Sequence, residues 1–288
     1  MAAEPHSLGH IRLIALDLDG TLLRSDKTLS PRSRDALAAA AARGVEIVPA
    51  TGRFYRAMPA VVRELPFVRY AITINGAQVL DVRTGETIYS ADIDTGEALA
   101  FYEYLDTLPV IYDAFVDGWG YMTEAMRSRA QDYGMLPFQM QMMRELRSGV
   151  PELKAWLRDG AHRPQKMQLY AGDTAYRNSL LKTLTERYPQ FAVSYSLPNN
   201  IEINSRDADK GRALSVLAAR LGLAMSQTAA FGDGLNDLSM LCAAGVGAAM
   251  SNGCPEVKAA ADLIAADCDE DGVARVVEAM LADGARSV

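Results

Sequence analysis

The stretch whose reading decides the fold is Ile11–Leu23, IRLIALDLDGTLL. An apolar run (Ile11, Leu13, Ile14, Leu16) stops at two carboxylates, Asp17 and Asp19, and then at Gly20 and Thr21. A short run this rich in Ile and Leu, bounded by a glycine turn, predicts a strand buried on both faces inside a parallel sheet. In open α/β sheets the reactive crevice lies just beyond the carboxyl ends of the strands, where Asp17 and Asp19 stand.

Two residues apart on an extended chain, the two carboxylates point the same way. Like charges that close raise one pKa unless a cation intervenes. A hard divalent ion with oxygen ligands, Mg2+, is the simplest resolution. Gly20 permits the tight turn, and Thr21 adds a hydroxyl and an N–H for an anion. A plain polar turn after a strand is the competing explanation of these few residues. A calcium loop is not: counted from Asp17, the fifth, sixth and twelfth positions are Thr21, Leu22 and Thr28, where that motif needs an acid or amide, Gly and Glu.

Working outward, Ser30-Pro31 predicts a helix start, with Gly44 closing the Ala-rich segment behind it. Val45–Ala50 is a second strand, running into Thr51, Gly52 and Arg53. Tyr55–Leu65 is expected as a helix disturbed by Pro59. Tyr70–Ile74 is a third strand, ending in Asn75-Gly76. This βαβαβ order predicts a parallel sheet.

From about Gln78 the pattern changes. Hairpins are expected at Gln78–Asp81 with Thr87–Ser90 and at Ile111–Val116 with Trp119–Thr123, the second around Asp117-Gly118. Helical stretches are expected at Glu97–Leu105, Glu124–Leu146, Pro151–Leu157 and, capped by Asp173, on to Tyr188. Strands follow at Lys166–Tyr170, Phe191–Ser196 and Ile201–Asn204, so this segment is an α+β domain with an antiparallel sheet. The βα units resume with a helix at Lys210–Leu221 and a strand at Thr228–Phe231 that enters Gly232-Asp233-Gly234-Leu235-Asn236-Asp237. The fold class is therefore α/β, a Rossmann-like parallel-sheet core (1–81 and 205–288) with an inserted α+β cap (82–204).

At 288 residues the chain has ample length for two cores. Its net charge of −7 argues against a broad nucleic-acid surface, and Lys and Arg form no run. The three cysteines (Cys242, Cys254, Cys268) lack metal-ligand spacing and suit reduced thiols in the cytoplasm. His6 and His10 are expected in a loose N-terminal tail. Neither a signal peptide nor a membrane span is expected. The methionines Met135, Met140, Met142 and Met143 suit core filling better than a substrate cleft.

Four loops converge on one sheet edge: DLDGT (17–21), TGR (51–53), DADKG (207–211) and GDGLND (232–237). Clustered carboxylates, a hydroxyl, a lysine and backbone N–H groups suit phosphoryl transfer, which is mostly positioning and charge neutralisation.

This set resembles the haloacid dehalogenase superfamily of phosphatases, over nearly the whole chain. DLDGT is similar to the family's first motif, Thr51 to the second, Lys210 to the third, and Asp233 with Asp237 to the fourth. The place of the insertion, NG at 75–76, IEIN at 201–204 and the tail from Asn252 to Gly272 resemble its Cof-like subfamily with a "C2" cap. The resemblance implies that Asp17 is the nucleophile and Asp19 the acid and base, with Thr51 and Lys210 holding the phosphoryl group. It implies a Mg2+ site made of Asp17, Asp19 (through its carbonyl), Asp233 and Asp237, with Asp233 as ligand and Asp237 supporting it. Asn236 would contact phosphate or orient Lys210. Thr21, Gly52, Arg53 and Asn75 would contact substrate. The turn 205–209 lacks the glycine common in relatives, which leaves its local geometry open.

The activity so implied is hydrolysis of small phosphorylated metabolites, sugar phosphates first, by a monomer or small homo-oligomer with neither nucleic-acid nor membrane partner. A phosphomutase resembling phosphomannomutase and a non-catalytic ligand sensor are the alternatives. A dinucleotide-binding enzyme is disfavoured by the lack of GxGxxG after the first strand.

Overall fold

The structure, a computed structural model, describes residues 10–284. The chain divides into two compact units: Ser90–Ala208, and the residues up to Tyr89 together with those from Asp209. The division thus falls several residues beyond the expected 81/82 and 204/205, and the hairpin strand that ends at Ser90 lies almost wholly on the core side. In chain order the strands are β1 Leu13–Leu16, β2 Glu46–Pro49, β3 Tyr70–Thr73, β4 Gln78–Asp81, β5 Glu86–Ser90, β6 Val110–Val116, β7 Trp119–Thr123, β8 Arg147–Val150, β9 Lys166–Ala171, β10 Phe191–Ser194, β11 Asn200–Ser205, β12 Thr228–Gly232, β13 Val246–Met250 and β14 Leu263–Ala265.

The core unit is built on a parallel sheet of order β14-β13-β12-β1-β2. β1 sits inside it, with Leu16 level with Phe231 on one side and Pro49 on the other. Alternation sends Ile14 and Leu16 into one apolar layer, with Leu37 and Val277 from the helices Pro31–Ala42 and Gly272–Gly284. Leu13 and Ala15 enter the opposite layer, with Leu214, Leu217 and Met240 from Lys210–Arg220 and Leu238–Ala243. A strand inside a parallel sheet with helices on both faces needs apolar side chains at every position, and LIAL supplies them. The polar residues that follow β1, β2 and β12 emerge on one edge.

Ser30 caps its helix as expected, accepting a hydrogen bond from the Ser33 N–H at 3.0 Å. Three expectations are corrected. The span 55–65 is a 3-10 turn at Tyr55–Ala57 and a single helical turn at Ala60–Arg63, because Pro59 has no N–H to continue the ladder. β3 touches β2 through isolated parallel bridges, Ala50 with Ile72 and Ile47 with Val68, and then leads an antiparallel sheet β3-β4-β5. His10 Nε2 lies 2.8 Å from the Ser226 carbonyl, so the chain is tied down there; His6 lies outside the described residues.

The inserted unit has a six-stranded sheet, order β10-β11-β9-β6-β7-β8, antiparallel except for β7 with β8. One face packs on the helices Thr95–Leu105, Leu153–Arg158 and Thr174–Arg187 through Phe101, Leu157 and Leu184. Asp173 caps the last of these at the Tyr176 N–H, 2.8 Å away. The long helix expected over 124–146 is instead broken into Glu124–Ser128, a 3-10 turn and Pro137–Leu146, with Gly134 at φ 69° between them. Met135 and Met143 fill a small apolar cluster with Tyr133 and Tyr170, whereas Met142 is exposed. Among the described residues no helix is long and apolar enough to cross a membrane.

Gly76, at φ 92°, lies so close to the chain before Lys210 that an added Cβ would stand 2.3 Å from the Asp209 carbonyl carbon. Gly85, at φ 77°, faces open space. Gly76→Ala is therefore expected to cost about 2–4 kcal/mol, from left-handed strain plus a backbone clash, and Gly85→Ala about 1 kcal/mol. Urea unfolding of the two variants checks this; equal losses would show that the close approach carries no energy.

Candidate active site

Lys210 begins its helix, and Asp209 caps that helix at the Arg212 N–H, 2.7 Å away. Glycine on both sides brings the backbone in: besides Gly76, Gly211 lies so close to Ser239 that a Cβ would meet its carbonyl oxygen at 2.4 Å. The Lys210 side chain is fully buried. Its Nζ donates to Asp17 Oδ1 at 2.7 Å and to Asp237 Oδ1 at 2.6 Å. Burial alone would depress the ammonium's pKa, but the two carboxylates more than offset it and push it up.

Asp237 has no oxygen to spare, since its Oδ2 accepts from the N–H groups of Asp233 and Gly234, each at 3.0 Å. Those bonds fix the loop that presents Asp233. Thr21 donates to Asp233 Oδ1 at 2.7 Å. Burial lifts the Asp17 carboxyl to about 7, against the pull of Lys210 and with the help of Asp237. Burial also raises Asp233, opposed by Thr21.

Asp17, Asp233 and Asp237 each place an oxygen within 4.8 Å of the others. Among the described residues, Asp17 Oδ2 and Asp233 Oδ2 enter no hydrogen bond, and the bonds of the turn end on the carbonyls of Asp17 and Leu18, not of Asp19. Gly20 keeps the space beside Asp233 open, for a Cβ there would stand 2.6 Å from Oδ2. Two free carboxylate oxygens, both on groups whose charge is disfavoured, and a free carbonyl form a donor set that fits a hard divalent cation.

Asp19 faces a different set of partners. Arg53 Nε lies 2.9 Å from Oδ2, its second nitrogen 3.1 Å from Oδ1, and Lys27 Nζ 3.0 Å from Oδ1. Burial works upward on Asp19, yet Arg53 and Lys27 together hold the carboxyl below its ordinary value. Thr51 is buried and accepts the Arg53 N–H at 3.2 Å, its own N–H bonding to the Ile72 carbonyl at 2.9 Å. Asn75 follows Ile74, both left-handed at φ 56° and 54°. Such a conformation is costly for a β-branched residue and persists where the surroundings enforce it. Asn75 Oδ1 receives Asn236 Nδ2 at 3.2 Å and occupies the space beside Gly52, where a Cβ would lie 2.8 Å away.

The expected residues thus form three adjoining groups: Asp17, Lys210, Asp237, Asp233 and Thr21; Asp19 with Arg53; and Gly52, Asn75 and Asn236, with Thr51 beneath Arg53. Two further residues join them. Asn252 donates to the Gly20 carbonyl at 2.7 Å and accepts the Cys268 N–H at 3.1 Å, pinning the turn after β1. Lys27, at φ 66° in a turn after Asp26, carries no motif that would flag it.

With the geometry established, comparison with known proteins gives the family. A family model described as haloacid dehalogenase-like hydrolase matches residues 14–277. The chain belongs to this family. It is 30% identical to Phosphatase YwpJ of Bacillus subtilis, over 94% of this chain and 100% of that one. It is 29% identical to the pyridoxal phosphate phosphatase YbhA of Escherichia coli, over 92% and 97%. A crystal structure of a haloacid dehalogenase-like hydrolase from Bacteroides thetaiotaomicron is 28% identical and superposes with a TM-score of 0.78, covering 94% of this chain and 99% of that one.

The raised Asp17 pKa makes a signed prediction. A carboxyl with a folded-state pKa of about 7 and an unfolded value of 3.8 stabilises the metal-free protein below pH 4, and that contribution is lost as pH rises through 7. A divalent cation held by Asp17 would compete with the same proton. One fixed Mg2+ concentration, 100 times Kd at pH 8, is therefore expected to raise stability by about 2.7 kcal/mol at pH 8 and by far less at pH 5.5, where the apparent Kd is weaker. Differential scanning fluorimetry checks this, and an equal shift at both pH values would contradict it. Lys210→Met, which leaves two carboxylates facing each other, is expected to cost about 3–5 kcal/mol in chemical denaturation.

Proposed function

We propose that the chain is a Mg2+-dependent phosphatase that hydrolyses small phosphorylated metabolites, sugar phosphates first, through an aspartyl-phosphate on Asp17. The observation that carries this is the buried Asp17–Lys210–Asp237 array with Asp233 beside it, reached from three separate loops. Family membership and the phosphatase relatives support it.

The difficulty in the first step is charge. A carboxylate 4 Å from one phosphate charge is opposed by about 4 kcal/mol at an effective dielectric of 20. Lys210 draws Asp17 toward its ionised form against the effect of burial, aims it, and offsets part of that repulsion. Asp17, Asp233 and the Asp19 carbonyl would hold Mg2+, which when bound supplies the remaining positive charge. Asp17 attacks phosphorus, the P–O bond to the alcohol breaks, and the alcohol leaves with a proton from Asp19. Water then attacks the phosphorus of the aspartyl-phosphate as Asp19 takes its proton, releasing phosphate and restoring Asp17.

Asp19, ionised beside Arg53 and Lys27, is ready for the second half-reaction. Before the first it must gain a proton, which is easier once Arg53 turns to another anion. The phosphate ester is such an anion, so Arg53 is assigned both to substrate binding and to the release of Asp19. Thr51, Thr21, Gly52, Asn75 and Asn236 shape the phosphate site. The inserted unit, Ser90–Ala208, is assigned substrate selectivity.

A phosphate-release assay across a panel of phosphorylated metabolites tests the proposal. Release is expected with Mg2+ and not with chelator, and Asp17→Asn is expected to lose more than the roughly 10²–10⁴-fold that a single acid–base group supplies. Turnover undiminished by Asp17→Asn, or silence across the panel, would overturn it; transfer without release would indicate a mutase.

A further inference from the structure

Lys27 belongs to none of the four loops, yet its ammonium reaches the Asp19 carboxylate from within the same compact unit. A tight turn brings it there. The Lys27 N–H donates to the Arg24 carbonyl at 2.8 Å, and the Arg24 N–H to the Thr28 carbonyl at 2.9 Å. Asp26 Oδ1 accepts from the Thr28 N–H at 2.9 Å and from the Thr28 hydroxyl at 2.6 Å. The turn is also tied from outside, the Ser25 N–H donating to Asp269 Oδ1 and the Arg24 side chain to Asp271 Oδ1, both at 2.9 Å. These bonds set residue 27 in the left-handed region, at φ 66°. Glycine or asparagine fills such a turn position most easily, and a long side chain there is strained.

Stability does not account for a lysine at this point. Its side chain is 58% exposed and that of Asp19 34%, and an ion pair so open to water contributes little. Strain that stability does not explain is characteristic of functional positions.

The two oxygens of Asp19 are held differently. Arg53 bonds both, its Nε at Oδ2 (2.9 Å) and its second nitrogen at Oδ1 (3.1 Å). Lys27 Nζ stands at Oδ1, 3.0 Å away. When Arg53 turns to the phosphate ester, Oδ2 is released while Oδ1 stays engaged by Lys27. Oδ2 is then the oxygen available to a reacting group. The bond to Lys27 meanwhile limits rotation of the carboxyl, whose other restraint has gone. We propose that Lys27 is a positioning residue for the acid–base step: it holds Asp19 by Oδ1 and so aims Oδ2 at the leaving oxygen, and afterwards at the attacking water. The proton on Oδ2 passes to the alcohol oxygen as its bond to phosphorus breaks, and in the second half-reaction Oδ2 takes a proton from water. This rests on the phosphatase reading and adds to it a residue that no motif marks.

The test uses the full chain with Mg2+ and compares Lys27→Met with wild type on two esters, p-nitrophenyl phosphate and the best alkyl phosphate of the metabolite panel. Nitrophenolate departs with little help from an acid, whereas an alkoxide needs the proton. In kcat/KM, Lys27→Met is expected to lose about tenfold on the alkyl ester, a part of what a well-aimed acid supplies, and less than about threefold on p-nitrophenyl phosphate. The loss on the alkyl ester is expected in kcat more than in KM. Lys27→Asn, whose side chain suits the left-handed turn and is too short to reach Asp19 as lysine does, is expected to show the same selective loss without a lower melting temperature, and it stands in should Lys27→Met fail to fold. Equal losses on the two esters, or no loss on either, would overturn the proposal and leave the phosphatase standing. Wild type silent on both esters would remove both.

Discussion

One ammonium between two carboxylates organises the core unit. Lys210 is fully buried, and such a charge is tolerated only where partners repay its desolvation. Asp17 does so from the end of β1 at 2.7 Å, and Asp237 from the turn that follows β12 at 2.6 Å. Much of the local backbone serves that approach. Gly76 and Gly211 admit the chain on either side of Lys210, and Asp237 spends its second oxygen holding the loop that presents Asp233. The array leaves Asp17 poised between protonation and charge.

The second cluster around Asp19 complements the first. Where Asp17 is raised by burial, Asp19 is held low by Arg53 and Lys27. Two carboxylates two residues apart are thereby pushed in opposite directions, a common way for one site to hold a nucleophile and an acid–base group together. The left-handed Ile74 and Asn75 belong to the same economy of shape, since they set the Asn75 amide against Gly52 and Asn236.

Much of this was legible in the residues. LIAL before two aspartates announced an inner parallel strand, and Ser30-Pro31 and Asp173 announced their helix starts, because those signals are local. The four loops were legible because each interrupts an apolar strand or opens a helix. What stayed hidden depends on distant partners. Arg147–Val150 has no alternating pattern and is a strand because β7 offers a parallel edge and Gly120 a gap for Arg147. The Lys27–Asp19 pair is made by a turn with no motif, and the 55–65 helix failed at Pro59, whose effect is local but whose extent is not. Asp237 belongs to the acidic cluster, yet only coordinates reveal that both its oxygens are already engaged.

The central claim is that Asp17, charged and aimed by Lys210, becomes the carrier of the phosphoryl group. Rapid quenching of the enzyme during turnover with Mg2+, followed by borohydride reduction and peptide mass spectrometry, tests it most directly. An acyl phosphate on Asp17 is reduced to an alcohol, so homoserine at position 17, appearing only with substrate, is the predicted result. Active enzyme whose residue 17 remains unreduced aspartate throughout, or a reduced carboxyl at any other position, would contradict the account.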